Sequence, residues 1–467
     1  VPVNRPGRKN NFRHELARLP LNMRVSRFTF ARLAVISGLI VGAGMAPPAF
    51  GAYRTPAVSA NDFLDSIGVC VHVQHGQKAW VLAPDLKYLG VRAIRDGADG
   101  NFNLMGLLLL HREAGVRVVF GPGSGARDRS LLHTIEAGRA LAAAGALLAI
   151  EGPNEPNNFG GVTYQGQNSN AMKSWLPVAH YQRDLYRAVQ IDPVLRSYPV
   201  YGPSECGAES DNAGLQFLSV PKHAHTLMPA GTRFADDLNC HNYVCGHIDG
   251  IIDNQATFAA AVRPPAAIDD LFGNHGLTWL KHFHGYTEDD LETIPKVTTE
   301  TGWKTDGTAA GDDRQGKMLL NVFLAQYKAH WSHTFVYELT DDADGAFGFY
   351  HADLTTPRKA ADYLHNFTTI LADTGSRDRR GRTGFFIPHR PATVHDLLLQ
   401  KSDGTFELAV WGERVNGASH IVVDLYHHRA HVKIYDPTVG PEPVQTLDDI
   451  RKVPLTVSDH ALILEFR

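Results

Sequence analysis

Two carboxylates sit in segments that can present them to one substrate. Ile150-Glu151-Gly152-Pro153-Asn154-Glu155-Pro156-Asn157 follows a short apolar run and places Glu155 just beyond it. Val297-Thr298-Thr299-Glu300-Thr301-Gly302-Trp303 does the same for Glu300. A pair of carboxyl groups, one protonated and one ionised, can break a glycosidic bond. The acid protonates the leaving oxygen while the carboxylate attacks the anomeric carbon or activates water. Alone, Asn-Glu-Pro reads equally well as a helix-start turn, and Glu-Thr-Gly as a surface turn. Their weight comes from the elements around them.

From Asp65 onward, β-rich runs alternate with helical stretches. The pattern predicts strands over Ile67–His72, Val91–Asp96, Val116–Phe120, Leu147–Gly152, Pro199–Gly202, Asp237–His241, Lys296–Glu300 and Thr334–Glu338. Helical stretches cover Asn103–Ala114, Arg127–Ala144, Ala171–Ile191, Asp312–His330 and Arg358–Ala372. The first two end at Gly115 and Gly145, the residue type that most often follows a helix. Such alternation implies a parallel sheet, and eight units close into an α/β (β/α)8 TIM barrel. A doubly wound open sheet is the runner-up, but no G-x-G-x-x-G follows the first strand. After Ser376–Arg382 come short strands at Val394–Gln400, Phe406–Trp411, His420–Leu425, Val432–Tyr435 and Leu462–Phe466. They read as a C-terminal all-β sandwich. The expected domains are 1–51, an extension and signal peptide; 52–375, the catalytic barrel; and 376–467, the sandwich, packed against the barrel.

In a (β/α)8 barrel the functional groups gather at the C-terminal ends of the strands. Glu155 and Glu300 then follow strands four and seven and face each other across the mouth. That placement suits a retaining mechanism, with carboxyls about 5–5.5 Å apart. Glu151, four residues earlier, reads as a buried partner for a charge such as Arg95.

On these residues the chain resembles clan A of the glycoside hydrolases, over essentially its whole length beyond residue 51. The layout is most similar to family thirty-nine or family five. The resemblance implies Glu155 as acid/base, Glu300 as nucleophile, and Asn154 at the hydroxyl beside the reacting carbon. It also implies that Arg95 supports the nucleophile and that His241 and Tyr243, in His-Asn-Tyr, contact it. Thr355–Ala361 before the last helix is similar too. Where many clan members carry Trp after strand eight, this chain has Tyr337-Glu338-Leu339-Thr340-Asp341, so Glu338 or Asp341 is expected to meet sugar hydroxyls instead. His72 and His75 after strand one are candidate wall residues, and Trp303 a candidate stacking platform, each against a structural role. A carbohydrate is the expected partner, and no metal or organic cofactor is required. An inactive sugar-binding barrel and a transglycosylase remain alternatives.

Composition narrows the classes further. Of 467 residues 43% are hydrophobic and 20% charged, enough for a large core. Residues 1–51 carry eight Lys/Arg and one acid, Glu15, a net of +7; the overall −4 therefore leaves −11 on the rest. An acidic body does not suit nucleic acid. Met23 to Arg32 is basic, Leu33 to Ala46 is uncharged, and Ala49-Phe50-Gly51 offers a cleavage site. This is the pattern of a signal peptide for a secreted or periplasmic protein without a stable membrane anchor. Cys70, Cys206, Cys240 and Cys245 allow three full pairings or buried thiols. His427–His431 reads as a solvated face. Asp341–Gly345 resembles part of a calcium loop, but His351 stands where the closing Glu belongs.

Overall fold

The computed structural model describes residues 54–97, 103–156, 161–172, 174–204, 232–244, 255, 257–262, 294–375 and 380–467. The expected signal peptide, Cys206 and Cys245 lie outside the described residues. Among those described, seven strands make the central sheet. Neighbour to neighbour they are Leu147–Ile150, Arg117–Gly121, Ala93–Gly97, Ile67–Cys70, Trp331–Val336, Lys296–Thr301 and Leu238–Asn239. Every pairing is parallel. Ile67–Cys70 and Leu147–Ile150 are buried at every position, as strands covered on both faces must be.

The two outer strands of this sheet are joined through residues 199–202. Ile150 N–H donates to Pro199 O (3.1 Å) and Tyr201 N–H to Ile150 O (2.8 Å). Gly202 N–H then donates to Asp237 O (2.9 Å), and both bridges are parallel. Connecting helices return the chain. Leu104–Ala114 is capped by Asn103, whose side chain accepts from Gly106 N–H, and stops at Gly115 in the left-handed region. Ala79–Leu89, which the sequence pattern did not reveal, carries Pro84 in its interior and exposes Trp80. The expected helix Ala171–Ile191 is two helices, Ser169–Met172 and Leu176–Ile191; Pro177 starts the second, where a missing N–H costs nothing.

The C-terminal region is one six-stranded sheet in the order Pro443–Val457, Ser419–Tyr435, Ala461–Phe466, Phe406–Gly412, Val394–Gln400, Val58–Ser59. The two expected strands His420–Leu425 and Val432–Tyr435 are one strand with a bulge between Asp424 and Arg429. Pro443–Val457 was not expected. Its acids, bases and Pro454 face outward on an edge strand, where proline is tolerated. Alternation splits the sheet into two faces. Leu397, Leu399, Ala409, Trp411 and Ile463 join the core around the central sheet. Leu398, Leu408, Val410 and Leu464 meet Ile421, Val423 and Leu425 in a separate core. Residues 52–467 form one compact unit.

Candidate active site

A cleft of roughly 580 Å³ opens at the C-terminal ends of the central strands. Its walls come from successive strand ends: His72 and His75, Arg95 and Gly97, Ser124, Asn154 and Glu155, Tyr243, Glu300, then Tyr337. That volume is in the range of small-molecule sites.

Glu155 and Glu300 are both buried. One oxygen of each, with a ring nitrogen of His241, lies within 4.8 Å of the other two. Glu300 is held from two sides. Arg95 Nη1 donates to its Oε1, and the Tyr243 hydroxyl donates to Oε2 at 2.8 Å. Arg95 also donates to both oxygens of Glu151 (2.8 and 3.0 Å) and to Asn154 Oδ1 (2.7 Å). Burial works against the Arg95 charge, but Glu151 and Glu300 outweigh it and hold the guanidinium above its usual range.

Glu155 sits in the left-handed region, at φ +37°, just before Pro156. A non-glycine residue there costs about 1–3 kcal/mol unless its surroundings fix it. Here Ser204 Oγ accepts its N–H (3.2 Å), and Asn154 is tied to Gly123 O and Ser124 Oγ (both 3.0 Å). The turn lifts the Glu155 carboxyl over His241, whose Nδ1 is 2.5 Å from Glu155 Oε1. Asn239 and Thr299 complete the floor. Thr299 Oγ1 donates to Glu151 Oε1 (2.7 Å) and lies 3.0 Å from His241 Nε2. Because the hydroxyl proton points to Glu151, Thr299 accepts from His241, and Nε2 carries a hydrogen. Burial lowers the His241 affinity for a second proton, but the Glu300 charge and the Glu155 hydrogen bond raise it more.

The other expected residues fall into distinct places. His72, His75 and Asn154 line the cleft, as do Arg95 and Tyr243. The resemblance assigns His241 to the nucleophile; it lies 3.3 Å from Glu300 Oε2 but is fully buried and closer to Glu155. Trp303 is not among the lining residues; it packs with Met318 and Val322, and the Arg314 guanidinium lies 5.9 Å from its ring. Glu338 is 1% exposed, behind His72, with its Oε2 3.0 Å from His72 Nδ1. Burial and then the Asp342 charge push its carboxyl up to about 10. Asp341 is taken by Arg358 of the Thr355–Ala361 segment.

Several wall residues carried no signal of their own. Tyr337 and Phe347 form the wall beyond the last strand, with Tyr243 edge-on to both. Asp342 and Asp344 also line the cleft, and the Tyr337 hydroxyl is 2.9 and 3.0 Å from them. Their cue was the acid-rich loop after the last strand. Cys70 is buried under the site and donates to Thr299 O, and burial pushes its thiol up.

No protein-family model and no curated protein matches the sequence. Solved structures do match. A family 39 glycoside hydrolase from the gut symbiont Bacteroides cellulosilyticus WH2 is similar with a TM-score of 0.55 at 14% identity, over 87% of this chain and 82% of that one. A family 30 endoxylanase from Clostridium papyrosolvens C71 is similar with a TM-score of 0.50 at 12% identity, over 89% of this chain and 97% of that one. The likeness is one of fold: the chain shares its overall architecture with these two glycoside hydrolases.

Proposed function

We propose that this chain is a retaining glycoside hydrolase that cleaves a β-linked poly- or oligosaccharide. Its architecture on this reading is a closed (β/α)8 barrel with a two-layered C-terminal β domain. The observation that carries the reading is that one carboxyl oxygen of Glu155 lies within 4.8 Å of one of Glu300 in one cleft. That spacing fits a direct nucleophile better than the roughly 6.5–9.5 Å that an interposed water needs.

Glu300 attacks the anomeric carbon, oriented by Arg95 and Tyr243. As the glycosidic bond breaks, the proton shared by Glu155 and His241 passes through Glu155 to the leaving oxygen. A glycosyl ester on Glu300 results. Glu155, now ionised, takes a proton from water as that water attacks the ester, which frees the sugar and restores both carboxyls. Asn154 is placed to hold a hydroxyl beside the reacting carbon, where hydrogen bonds strengthen in the transition state. His72, His75 and the Tyr337–Phe347 wall offer further sugar contacts. A polymer outside the cell fits the export signal in residues 23–51.

The test is release of reducing ends from neutral and acidic polysaccharides and aryl β-glycosides, with the first-formed anomer read by NMR. Glu155→Gln and Glu300→Gln should each lower kcat by about 10²–10⁴-fold or more, and the first product should be the β-anomer. Activity that survives in Glu300→Gln removes the nucleophile assignment. Products longer than the substrate would mark a transglycosylase.

A further inference from the structure

Behind one wall of the cleft three side chains converge. His72 Nδ1 is 3.0 Å from Glu338 Oε2 and 3.6 Å from Asp342 Oδ2, and all three atoms lie within 4.8 Å. Glu338 is 1% exposed, yet neither of its oxygens has a hydrogen-bond partner among the described residues; nor does His72 Nδ1. An imidazole facing two acids is an arrangement that a bound cation would satisfy. Among the described residues no Lys or Arg pairs with the carboxyls of Glu338, Asp342 or Asp344; Lys304 reaches only the Asp344 backbone carbonyl, at 2.9 Å.

We propose that His72, Glu338 and Asp342 bind a divalent metal ion of the zinc type, next to the catalytic glutamates and distinct from them. An imidazole with two carboxylates is a ligand set that zinc takes in open sites, with a fourth position left for water or substrate. Ligand atoms about 2.0–2.1 Å from a tetrahedral ion lie about 3.3–3.4 Å apart. The observed 3.0 and 3.6 Å bracket that value. The ligands are also held from outside, as metal ligands usually are. The Tyr337 hydroxyl contacts Asp342 Oδ2 at 2.9 Å, Asp344 N–H donates to Oδ1 at 2.7 Å, and Gln77 fixes the His72 backbone N–H at 2.8 Å. His72 and Asp342 both reach the cleft, so the open position faces the sugar. The ion ties the loop after Ile67–Cys70 to the loop after Trp331–Val336 and sets the wall that Tyr337 presents.

Binding can be read without turnover, so the result is independent of the hydrolase reading. The full chain, stripped with EDTA, is titrated with ZnCl2 by calorimetry, and the metal retained after gel filtration is counted. One zinc ion per chain is expected. Glu338→Gln and Asp342→Asn, both checked for native circular dichroism, should weaken it at least about tenfold. Glu300→Gln and His431→Gln should bind as the parent does; they address the catalytic carboxylates and the histidine-rich tail. Cobalt(II) should give the visible absorption of a low-coordinate site in the parent and lose it in Asp342→Asn. No stoichiometric zinc in the parent, unchanged binding in Glu338→Gln and Asp342→Asn, or loss in Glu300→Gln or His431→Gln instead, would each overturn the proposal.

Discussion

His241 Nδ1 lies 2.5 Å from Glu155 Oε1 and 3.3 Å from Glu300 Oε2. The histidine is therefore tied to Glu155 first and to Glu300 second, and the Tyr243 hydroxyl makes the shorter contact with Glu300. On the proposed reading Glu155 and His241 act as one coupled acid, and a proton held by two bases leaves less readily than from either alone.

His241→Asn should move the alkaline limb of the kcat/KM profile to lower pH. The parent pair keeps its proton above the usual histidine range because the His241 affinity is raised. Near its optimum the variant should lose about 10²-fold, within the usual span for general acid catalysis. An unmoved alkaline limb would assign the transferable proton to Glu155 alone.

Arg95→Met should cost about 3–5 kcal/mol of stability, the usual result of removing one partner from a buried ion pair. It leaves Glu151 and Glu300 facing each other with their shared cation gone. Adding Glu151→Gln should restore part of that loss without restoring turnover. Urea unfolding and kcat on the same samples separate the two effects.

Gly152→Ala tests the turn that raises Glu155. A Cβ there would stand 2.2 Å from Gln182 Oε1 and 2.7 Å from Pro203 N. Gln182 is buried and donates to Tyr201 O (3.1 Å) and Phe234 O (2.8 Å), so it has little room to yield. Overpacking of about 1–3 kcal/mol is expected, with a fall in kcat because Pro203 precedes Ser204, which holds the Glu155 N–H. Native stability with normal kcat would show that the turn adapts.

Stability should fall as the pH is raised through about 9. His460 lies between Asp436 (3.3 Å) and Asp459 (3.0 Å), which overcome its burial and raise its pKa to about 9. Its folded value exceeds the unfolded one near 6.5, so the native state binds more protons between the two. The stabilisation is complete below about pH 6.5 and gone above about 9.5; it amounts to roughly 3 kcal/mol. His460→Gln should lose that slope in urea midpoints across this range.

How much of this was legible depends on what each residue's pattern competes with. Glu155 and Glu300 stood out because Pro and Gly mark the ends of apolar runs, and those ends are where this fold puts its chemistry. The Arg95–Glu151 pair was readable as two charges inside strands that bury everything else. Asn239, Thr299 and Ser204 were not, since a short polar residue at or beyond the end of a strand looks the same whether it turns the chain or lines a site. Asp342 and Asp344 were hidden for a related reason: an acid-rich loop reads as solvated until Tyr337 and His72 are seen against it. Pro443–Val457 was missed because Asp448, Asp449 and Pro454 break the alternation that identifies a strand, and only pairing with Ser419–Tyr435 makes it one.

Val58 and Ser59 run parallel to Leu399 and Gln400, and Arg54–Pro56 runs antiparallel to Arg382–Gly384. These residues come immediately before the helix Ala60–Asp65 and the first strand of the central sheet. The chain is thus clasped: the stretch leading into the catalytic half is itself a strand of the other half. A clasp of this kind forbids modular trade. Residues 380–467 cannot be lent to another enzyme as a cassette, because Ala57 would leave a gap in their core. Nor can the catalytic half be expressed by stopping at Gly375, which would strand Val58 without its neighbour and bare the helices that Trp411 and Ile463 cover. Relatives that gain or lose pieces should do so in the loops around the cleft mouth, with the two halves inherited together.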